Sequence, residues 1–201
     1  PKRSGIASSD RSVSEAAHQA AIGAVSERLG ALLEVQRNFG LRFEESAKLD
    51  ATRALTQAAK EGAVAIKDGT KGGRQRMVPI TSNAQITALQ RAAAIQDGRS
   101  MIPDNQTYRE FRQEAYREIG RHPVNFHGER HHYAQERYRV LIGADSPIRA
   151  GVAHGRAHHE YLSKELGISV AQAKTLDQEV RAEVARELGH GRIDVTNSYL
   201  G

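Results

Sequence analysis

The chain has 201 residues, of which 39% are hydrophobic and 5% are aromatic. This length suits one well-packed domain or two very small ones. Lys and Arg number 29 against 24 Asp and Glu, which gives a formal net charge of +5; such a balance is compatible with a nucleic-acid partner but is weak evidence by itself. Because there is no cysteine, disulfides, zinc–thiolate sites and thiol catalysis are excluded, and a reducing cytoplasm fits.

The composition also bears on the membrane and on the core. We find no run of about 18 apolar residues and no secretory leader, so we expect a soluble, non-exported chain with no membrane partner. Tryptophan is absent, and we therefore expect a core mainly of Ala, Leu, Ile and Val, which suits closely packed helices. The chain begins at Pro1 rather than Met, and we interpret it as a fragment of a longer protein.

Helical periodicity dominates the chain. Residues 1–12 are polar and predict a flexible lead-in. From Val13 to about Asn38, apolar residues recur at helical spacing and predict one long amphipathic helix. Gly40 ends it, and residues 41–60 predict two shorter helices. Further helices are predicted over about 82–97, 104–119, 125–142 and 169–188, the last followed by Gly189 at the position of a C-capping glycine.

One segment predicts β structure. Residues 63–66 and 74–80 are β-prone runs, and the loop between them carries Asp68-Gly69 and Gly72-Gly73, which favour turns with positive φ. Between Lys60 and Ile80 there are five basic residues against two acidic ones. The sequence therefore predicts a mainly α fold with a small antiparallel β-sheet, that is, an α+β fold.

Four motifs, in this order, resemble those of the tyrosine recombinases, the phage-type integrases and resolvases that cut and rejoin DNA. The motifs are residues 40–46 (the first conserved box), 70–80 (the lysine-bearing β-hairpin), 127–131 (the His-x-x-Arg box) and 188–199 (the final histidine and the nucleophile). Each motif alone is modest evidence. Their order over about 160 residues, with His190 and Tyr199 nine residues apart, is specific. The resemblance implies the catalytic-domain fold of DNA breaking-rejoining enzymes.

The resemblance implies a role for each catalytic side chain. Two guanidiniums can neutralise the scissile phosphate and favour its more highly charged transition state. A phenol, whose pKa is normally about 10, attacks only if its proton is accepted and the phosphate is activated. The product is a 3′-phosphotyrosine, which stores the bond energy so that no metal, ATP or other cofactor is needed. The implied residues are Arg42 and Arg130 (phosphate grip), Lys71 (proton donor to the 5′-oxygen), His127 and His190 (supporting histidines) and Tyr199 (nucleophile).

Local spacing agrees with these roles, and the charge pattern adds further candidates. His127 and Arg130 are three residues apart on a predicted helix and so share a face. Beyond Gly189 the chain turns, which can aim His190 into a cleft. We predict additional DNA contacts from Lys67, Arg74, Arg76, His131 and Arg192. The implied partner is double-stranded DNA, bound by a homo-oligomer (a tetramer when full length) in the cytoplasm of a bacterial or phage-encoded system.

The chain departs from the family in two ways. Arg130 and His190 are 60 residues apart, a wide gap, and we interpret residues 143–168 as an insertion that forms a helix and loops on the surface. The family normally carries an N-terminal core-binding domain, and none is found before Val13. Residues 13–201 are therefore interpreted as the catalytic domain alone, with only Leu200 and Gly201 after the nucleophile.

Three other classes remain open. A type IB topoisomerase resembles this family in its active site but would relax supercoils without site preference. A non-catalytic DNA-binding domain would bind duplexes without cutting them. A helical scaffold or metal-binding protein would do neither; His127/His131 and His154/His158 are i,i+4 pairs that could ligate zinc, but no His-Glu-x-x-His order occurs and no third ligand is evident. We therefore predict no metal site.

Overall fold

The computed structural model describes residues 5–201, and 63% of these residues are helical. The α+β fold predicted from the sequence is confirmed. The described elements are α1 (Glu15–Ala24), α2 (Glu27–Phe39), α3 (Phe43–Ala47), α4 (Ala51–Glu61), β1 (Ala63–Ile66), β2 (Arg76–Pro79), α5 (Asn83–Ile95), α6 (Tyr108–Ile119), α7 (Phe126–Ile142), α8 (Pro147–Ala150), α9 (Arg156–Leu166), α10 (Val170–Glu187) and α11 (Asn197–Leu200), with 3-10 turns at Lys71–Gly73 and Ile193–Thr196.

The long N-terminal helix predicted from Val13 is wrong, because the chain breaks between α1 and α2. Val25 is extended (φ −98°, ψ 171°), and Ser26 precedes α2 as its N-cap residue. The Ser26 amide and hydroxyl both donate to the carboxylate of Glu118 on α6. Apolar residues keep a helical rhythm across the break because α1 and α2 contribute to the same core, so periodicity alone does not reveal it.

The β-hairpin forms as predicted. Strands β1 and β2 pair antiparallel, from Ala63 opposite Pro79 to Ile66 opposite Arg76. The connecting loop holds Gly72 and Gly73 at φ +69°, a conformation that glycine adopts without a Cβ clash. The hairpin thereby projects a loop of charged, exposed side chains beyond its paired residues.

The chain divides into two compact units, Val13–Arg130 and a second unit formed by Pro1–Ser12 with His131–Gly201. One core cluster of the first unit consists mainly of Leu, Ala and Val with three phenylalanines, Phe43, Phe111 and Phe126. The aliphatic core predicted from composition is therefore confirmed in the main, and three of the four phenylalanines lie in this one cluster.

In the second unit, two expectations are corrected. Helix α9 packs on α10, and its His158 and Leu162 are fully buried, so residues 143–168 do not simply lie on the surface. The lead-in has no regular secondary structure within residues 5–12, yet Ala7 donates to the Asn197 carbonyl and Asp10 accepts from Gln135. Residues 1–4 of the predicted lead-in lie outside the described residues.

The helices described within residues 5–201 include none that is long and apolar enough to cross a membrane.

Candidate active site

A buried carboxylate organises the arginines of the first unit. Glu45 on α3 is 1% exposed. Its Oε1 and Oε2 accept hydrogen bonds from Arg76 Nη1 and Nη2 at 2.9 and 2.8 Å. Arg42 Nη1 donates to the same Oε1 at 2.8 Å. We call these three residues, together with Arg130, the Glu45 cluster.

Arg130 reaches this cluster from α7. Its Nη1 donates to the Gly40 carbonyl and lies 3.9 Å from Glu45 Oε2. Gly40 is the left-handed residue that ends α2, with φ +62°. The end of α2, the start of α3 and the first turns of α7 therefore meet around one carboxylate, and this brings together Arg42 and Arg130, which the sequence predicts as a pair.

The electrostatics of the cluster explain why a buried carboxylate stays charged. Burial by itself would raise the pKa of Glu45, but the hydrogen bonds and positive charge of Arg76, the Arg42 amide and the charge of Arg130 together lower it to about 2. A charge in a poorly solvated place is stable only when it is paired and hydrogen-bonded. Glu45 is therefore an anion at neutral pH, and it holds the guanidiniums in fixed positions.

The two arginines differ in access. The Arg42 side chain is 25% exposed, whereas that of Arg130 is fully buried. Arg42 can thus receive an anionic ligand directly. A phosphate contact by Arg130 requires the surroundings of its guanidinium to change when the ligand binds.

Aromatic packing fixes the backbone on both sides of the cluster. Phe43 and Phe126 lie with ring centroids 4.7 Å apart, and Tyr116 packs against both at 5.3 and 4.9 Å. Arg42 directly precedes Phe43, and His127 directly follows Phe126. This packing therefore positions the main chain of both predicted catalytic residues. His127 is exposed, while Phe126 is buried.

A second buried network sets the N-terminal end of α7. Glu129 is fully buried and accepts from Arg37 Nη1 at 2.7 Å, and it lies 2.8 Å from His18 Nδ1. The Asn125 side chain accepts from the Gly128 amide at 2.7 Å, which caps one of the free N–H groups at the helix start. The residues between His127 and Arg130 are thus fixed on the side that faces α1 and α2.

The hairpin presents its lysine at an exposed tip. Lys71 begins the 3-10 turn between the strands and is exposed, as are Lys67 and Arg74. Gly69 has φ +71°, and a Cβ there would meet the main chain of Glu44 at 2.7 Å. The loop before Lys71 therefore lies directly on α3, the helix that carries Glu45.

In the second unit, a helix C-cap orients His190. Gly189 has φ +73°. Its amide donates to the Arg186 carbonyl at 2.9 Å, and the His190 amide donates to the Ala185 carbonyl at 2.8 Å. This paired pattern is a Schellman motif, in which glycine supplies the left-handed residue after the helix. The C-capping role predicted for Gly189 is confirmed, and it fixes the direction in which His190 leaves α10.

Tyr199 lies on α11 between two histidines. It is 4% exposed. Its ring centroid lies 4.7 Å from that of His131 and 5.7 Å from that of His190. The Tyr199 carbonyl accepts from Gln135 Nε2 at 3.1 Å. Because Gln135 follows His131 by one turn of α7, the same helix face contacts both the ring and the main chain of the tyrosine.

Several predicted DNA contacts have protein partners. Arg76 is 8% exposed and holds Glu45 with both terminal nitrogens. His131 is 3% exposed and packs on Tyr199. Arg192 is exposed but pairs with Asp194 at 2.8 Å. These contacts favour a positioning role for Arg76 and His131; direct DNA contact by these residues stays a prediction.

Sequence reasoning did not assign Glu45 or Gln135. A signal for Glu45 exists in the sequence, because an acidic residue three positions after the residue that precedes a helix is typical of a capping box. In the structure, the Glu45 carboxylate accepts from the Arg42 amide at 2.8 Å and so caps the start of α3. Gln135 had no comparable signal, because an uncharged polar residue within a helix is usually solvated.

The histidine pairs do not assemble a metal site among residues 5–201, where no three His, Cys, Asp or Glu side chains are placed to hold an ion. His154 Nδ1 lies 3.0 Å from the Gly201 main-chain oxygen, and His158 Nε2 lies 3.0 Å from the Asp145 carbonyl. Both imidazoles therefore have protein partners.

The fold and these clusters define a mainly helical domain with a buried arginine–carboxylate centre. A family model described as Integrase matches residues 2–136, more than half of the chain. The chain therefore belongs to the integrase family, of the tyrosine-recombinase type. The matched segment contains Arg42, Lys71, His127 and Arg130. A search of curated proteins gave no match.

Proposed function

We propose that this chain is the catalytic domain of a site-specific DNA recombinase that cleaves and rejoins strands through a 3′-phosphotyrosyl intermediate, without metal or ATP. Integrase family membership supports a role in DNA integration and recombination. The observation that carries the proposal is the Glu45 cluster, in which one buried carboxylate orders Arg42 beside Arg130. Two fixed guanidiniums suit a phosphodiester, whose charge increases in the transition state.

The proposed reaction is a transesterification at phosphorus. The Tyr199 phenolic oxygen attacks, a bond forms between it and the phosphorus, and the bond from phosphorus to the 5′-oxygen breaks. The phenolic proton passes to a base, for which His127 is the proposed candidate, and Lys71 donates a proton to the departing 5′-oxygen. His190 donates to a non-bridging oxygen. Rejoining is the reverse, with a 5′-hydroxyl as the nucleophile.

The proposal places a demand on both units. Arg42, Lys71, His127 and Arg130 belong to the first, and His190 and Tyr199 to the second. All six would have to act on the same phosphodiester once DNA is bound. Because Arg130 is fully buried, the proposal also requires that DNA binding give the phosphate access to the Arg130 guanidinium.

A covalent-capture assay tests the proposal. The probe is a pool of duplexes with a randomised segment around a single nick, so that cleavage releases a short fragment and traps the protein on the DNA. We expect an SDS-resistant adduct that is enriched for particular sequences, with the phosphate mapped to Tyr199 by mass spectrometry. An adduct without sequence enrichment would indicate topoisomerase-like activity instead. Salt-dependent binding without any adduct would identify a non-catalytic DNA-binding domain and overturn the proposal.

Double-stranded DNA is the proposed partner, bound by a homo-oligomer that we propose is a tetramer on DNA. The exposed Lys67, Lys71 and Arg74 on the hairpin loop are suitable phosphate contacts. Contacts to phosphates carry no sequence information, so target preference must come from groups that reach base edges.

Lys71→Ala should slow cleavage by about 10²-fold or more with an ordinary phosphodiester, since general acid catalysis typically contributes about 10²–10⁴-fold. The same variant should cleave a substrate with a 5′-bridging sulfur at nearly the wild-type rate, because a thiolate leaves without a proton. The measurement is the single-turnover rate of adduct formation on the two substrates.

Arg74→Ala provides the matched control on the same loop. Arg74 is also an exposed cation, and its loss should weaken DNA binding equally for both substrates. If sulfur fails to rescue Lys71→Ala, or rescues Arg74→Ala to the same extent, Lys71 is not the general acid.

A further inference from the structure

Helix α11, which carries Tyr199, has only four residues, Asn197–Leu200. A single helical turn is unstable by itself, because nucleation fixes several residues for one hydrogen bond. Its position must therefore come from contacts with other elements of the second unit.

Arg181 on α10 supplies contacts at both ends of that turn. Its Nη1 donates to Asn197 Oδ1 at 2.9 Å, and its Nη2 donates to the Gly201 main-chain oxygen at 3.2 Å. Asn197 is the first residue of α11 and Gly201 follows the last. One planar guanidinium thus spans the turn, with Tyr199 between the two acceptors.

The guanidinium is itself held in place. Arg181 is 3% exposed, and its Nε lies 2.9 and 3.0 Å from the two carboxylate oxygens of Asp177, one helical turn earlier. The hydroxyl of Tyr138 on α7 donates to Asp177 Oδ1 at 2.5 Å. Asp177 is 4% exposed, so this charge pair is buried and hydrogen-bonded, which makes it rigid.

The surroundings of Asp177 stabilise the ionised form of its carboxylate. Burial opposes its ionisation, but the charge of Arg181 and the hydrogen bonds from Tyr138 and Arg181 outweigh it and lower the pKa of Asp177. Burial lowers the pKa of His158, whose Nδ1 lies 3.8 Å from Asp177 Oδ1. The His159 Nε2 lies 3.4 Å from Oδ2. Arg181 is therefore the permanent cation opposite Asp177.

We propose that Arg181 is a positioning residue for strand cleavage. Its guanidinium, which Asp177 holds in place, donates hydrogen bonds to Asn197 and Gly201 and thereby fixes the turn that carries Tyr199. The inference rests on the proposed function, because it assigns a purpose to the position of the nucleophile. A nucleophile displaced by about 1 Å can lose about 10²-fold in rate. A rigid anchor on both sides of the tyrosine limits such displacement.

The test substitutes Asn197, which accepts a hydrogen bond from Arg181, and leaves the buried Asp177–Arg181 ion pair unchanged. Asn197→Ala removes one acceptor of Arg181 and leaves the Asp177–Arg181 pair in place, so the fold should persist. Asn197→Asp retains an oxygen acceptor at the same position. We expect Asn197→Ala to lower the single-turnover rate of adduct formation at saturating DNA by about tenfold, and Asn197→Asp to retain most of the wild-type rate.

Hydrogen exchange supplies a readout that needs no activity. The amides of residues 197–201 should exchange faster in Asn197→Ala than in the wild-type chain or in Asn197→Asp. Arg186→Ala is the matched control, because Arg186 lies on the same helix, is exposed and pairs with Glu183 rather than with α11. It should change neither readout.

The outcomes separate the two proposals. If the wild-type chain forms no adduct, the proposed function fails, and exchange alone reports on the anchor. If the wild-type chain forms the adduct and Asn197→Ala matches it in rate and exchange, the Arg181 inference is overturned. Equal slowing in Asn197→Ala and Asn197→Asp would overturn it too, because the acceptor would then be irrelevant.

Discussion

Tyr199→Phe is expected to abolish the covalent adduct completely, the largest effect of any single substitution in this chain. The substitution removes one oxygen atom and keeps the ring. The packing on His131 at 4.7 Å and on His190 at 5.7 Å involves the ring, and Gln135 bonds the main-chain carbonyl rather than the phenol. The substitution removes the proposed nucleophilic oxygen, so the chemical step has no substitute within the proposed mechanism.

The measurement pairs the adduct assay with DNA binding under the same salt conditions. Tyr199→Phe should bind duplexes like the wild-type chain and show an unchanged circular dichroism spectrum and midpoint of thermal unfolding to within a few degrees. Tyr161→Phe is the matched control, because Tyr161 is a half-buried tyrosine of the same unit whose ring stacks on His158. An adduct that persists in Tyr199→Phe would show that another group attacks the phosphate.

Local sequence signals anticipated the elements that depend on local physics. The hairpin follows from two β-prone runs around glycines, and the turn at Gly189 follows from a glycine placed after an apolar-periodic helix. The break at Val25–Ser26 has no signal in the periodicity, because both helices contribute apolar residues to one core and the polar partner of Ser26, Glu118, is 92 residues away in sequence. Long-range polar contacts of this kind have no periodic signature.

The candidate site also combines features that the sequence motifs predict with features that depend on long-range contacts. Motif order led to Arg42, Lys71, His127 and Arg130, which the integrase match also covers. It could not reveal that Arg130 is fully buried or that Glu45 joins the arginines, since burial and pairing belong to the tertiary structure. Arg76 illustrates the consequence: a basic residue on a basic hairpin suggests DNA contact, yet its guanidinium is engaged by a carboxylate 31 residues earlier.

Glu45→Gln is also expected to produce a large effect. The amide keeps the size of the side chain but removes the negative charge, and it can accept hydrogen bonds through only one oxygen. Arg42 and Arg76 would then lose part of their shared acceptor, and the positive charges would repel each other near Arg130. We expect adduct formation to slow by about 10²-fold, the scale on which misplaced catalytic groups lower rates.

Glu44→Gln is the matched control for this substitution. Glu44 is the acidic residue directly before Glu45, and its side chain is 43% exposed. It forms an ion pair with Lys48, four residues later. Exposed pairs of this kind contribute at most about 1 kcal/mol. Glu44→Gln should therefore leave the rate and the free energy of unfolding nearly unchanged. Equal effects of the two substitutions would mean that net charge, rather than the Glu45 cluster, determines activity.

The pH dependence of stability isolates the contribution of Glu45. Its pKa falls from an ordinary value of 4.5 to about 2 in the folded chain, because the bonds and charge of Arg76, the Arg42 amide and Arg130 outweigh the opposing effect of burial. A lowered pKa stabilises the fold above the unfolded value, and this stabilisation is lost as pH falls from about 4.5 through about 2. The shift corresponds to about 3 kcal/mol, at about 1.4 kcal/mol per pKa unit.

Comparison of the wild-type chain with Glu45→Gln removes the contributions of other carboxylates, notably Glu136, whose pKa is also lowered to about 2 by Arg139 and Arg149 against the opposing effect of burial. Urea unfolding followed by circular dichroism at several pH values from 7 to about 2 gives the free energy of unfolding of both proteins. The wild-type advantage should be greatest near neutral pH and should shrink by about 3 kcal/mol towards pH 2. An advantage that stays constant over this range would show that the pKa of Glu45 is the same in the folded and the unfolded chain, and an advantage that falls as pH rises above about 4.5 would show that Glu45 is protonated in the folded chain.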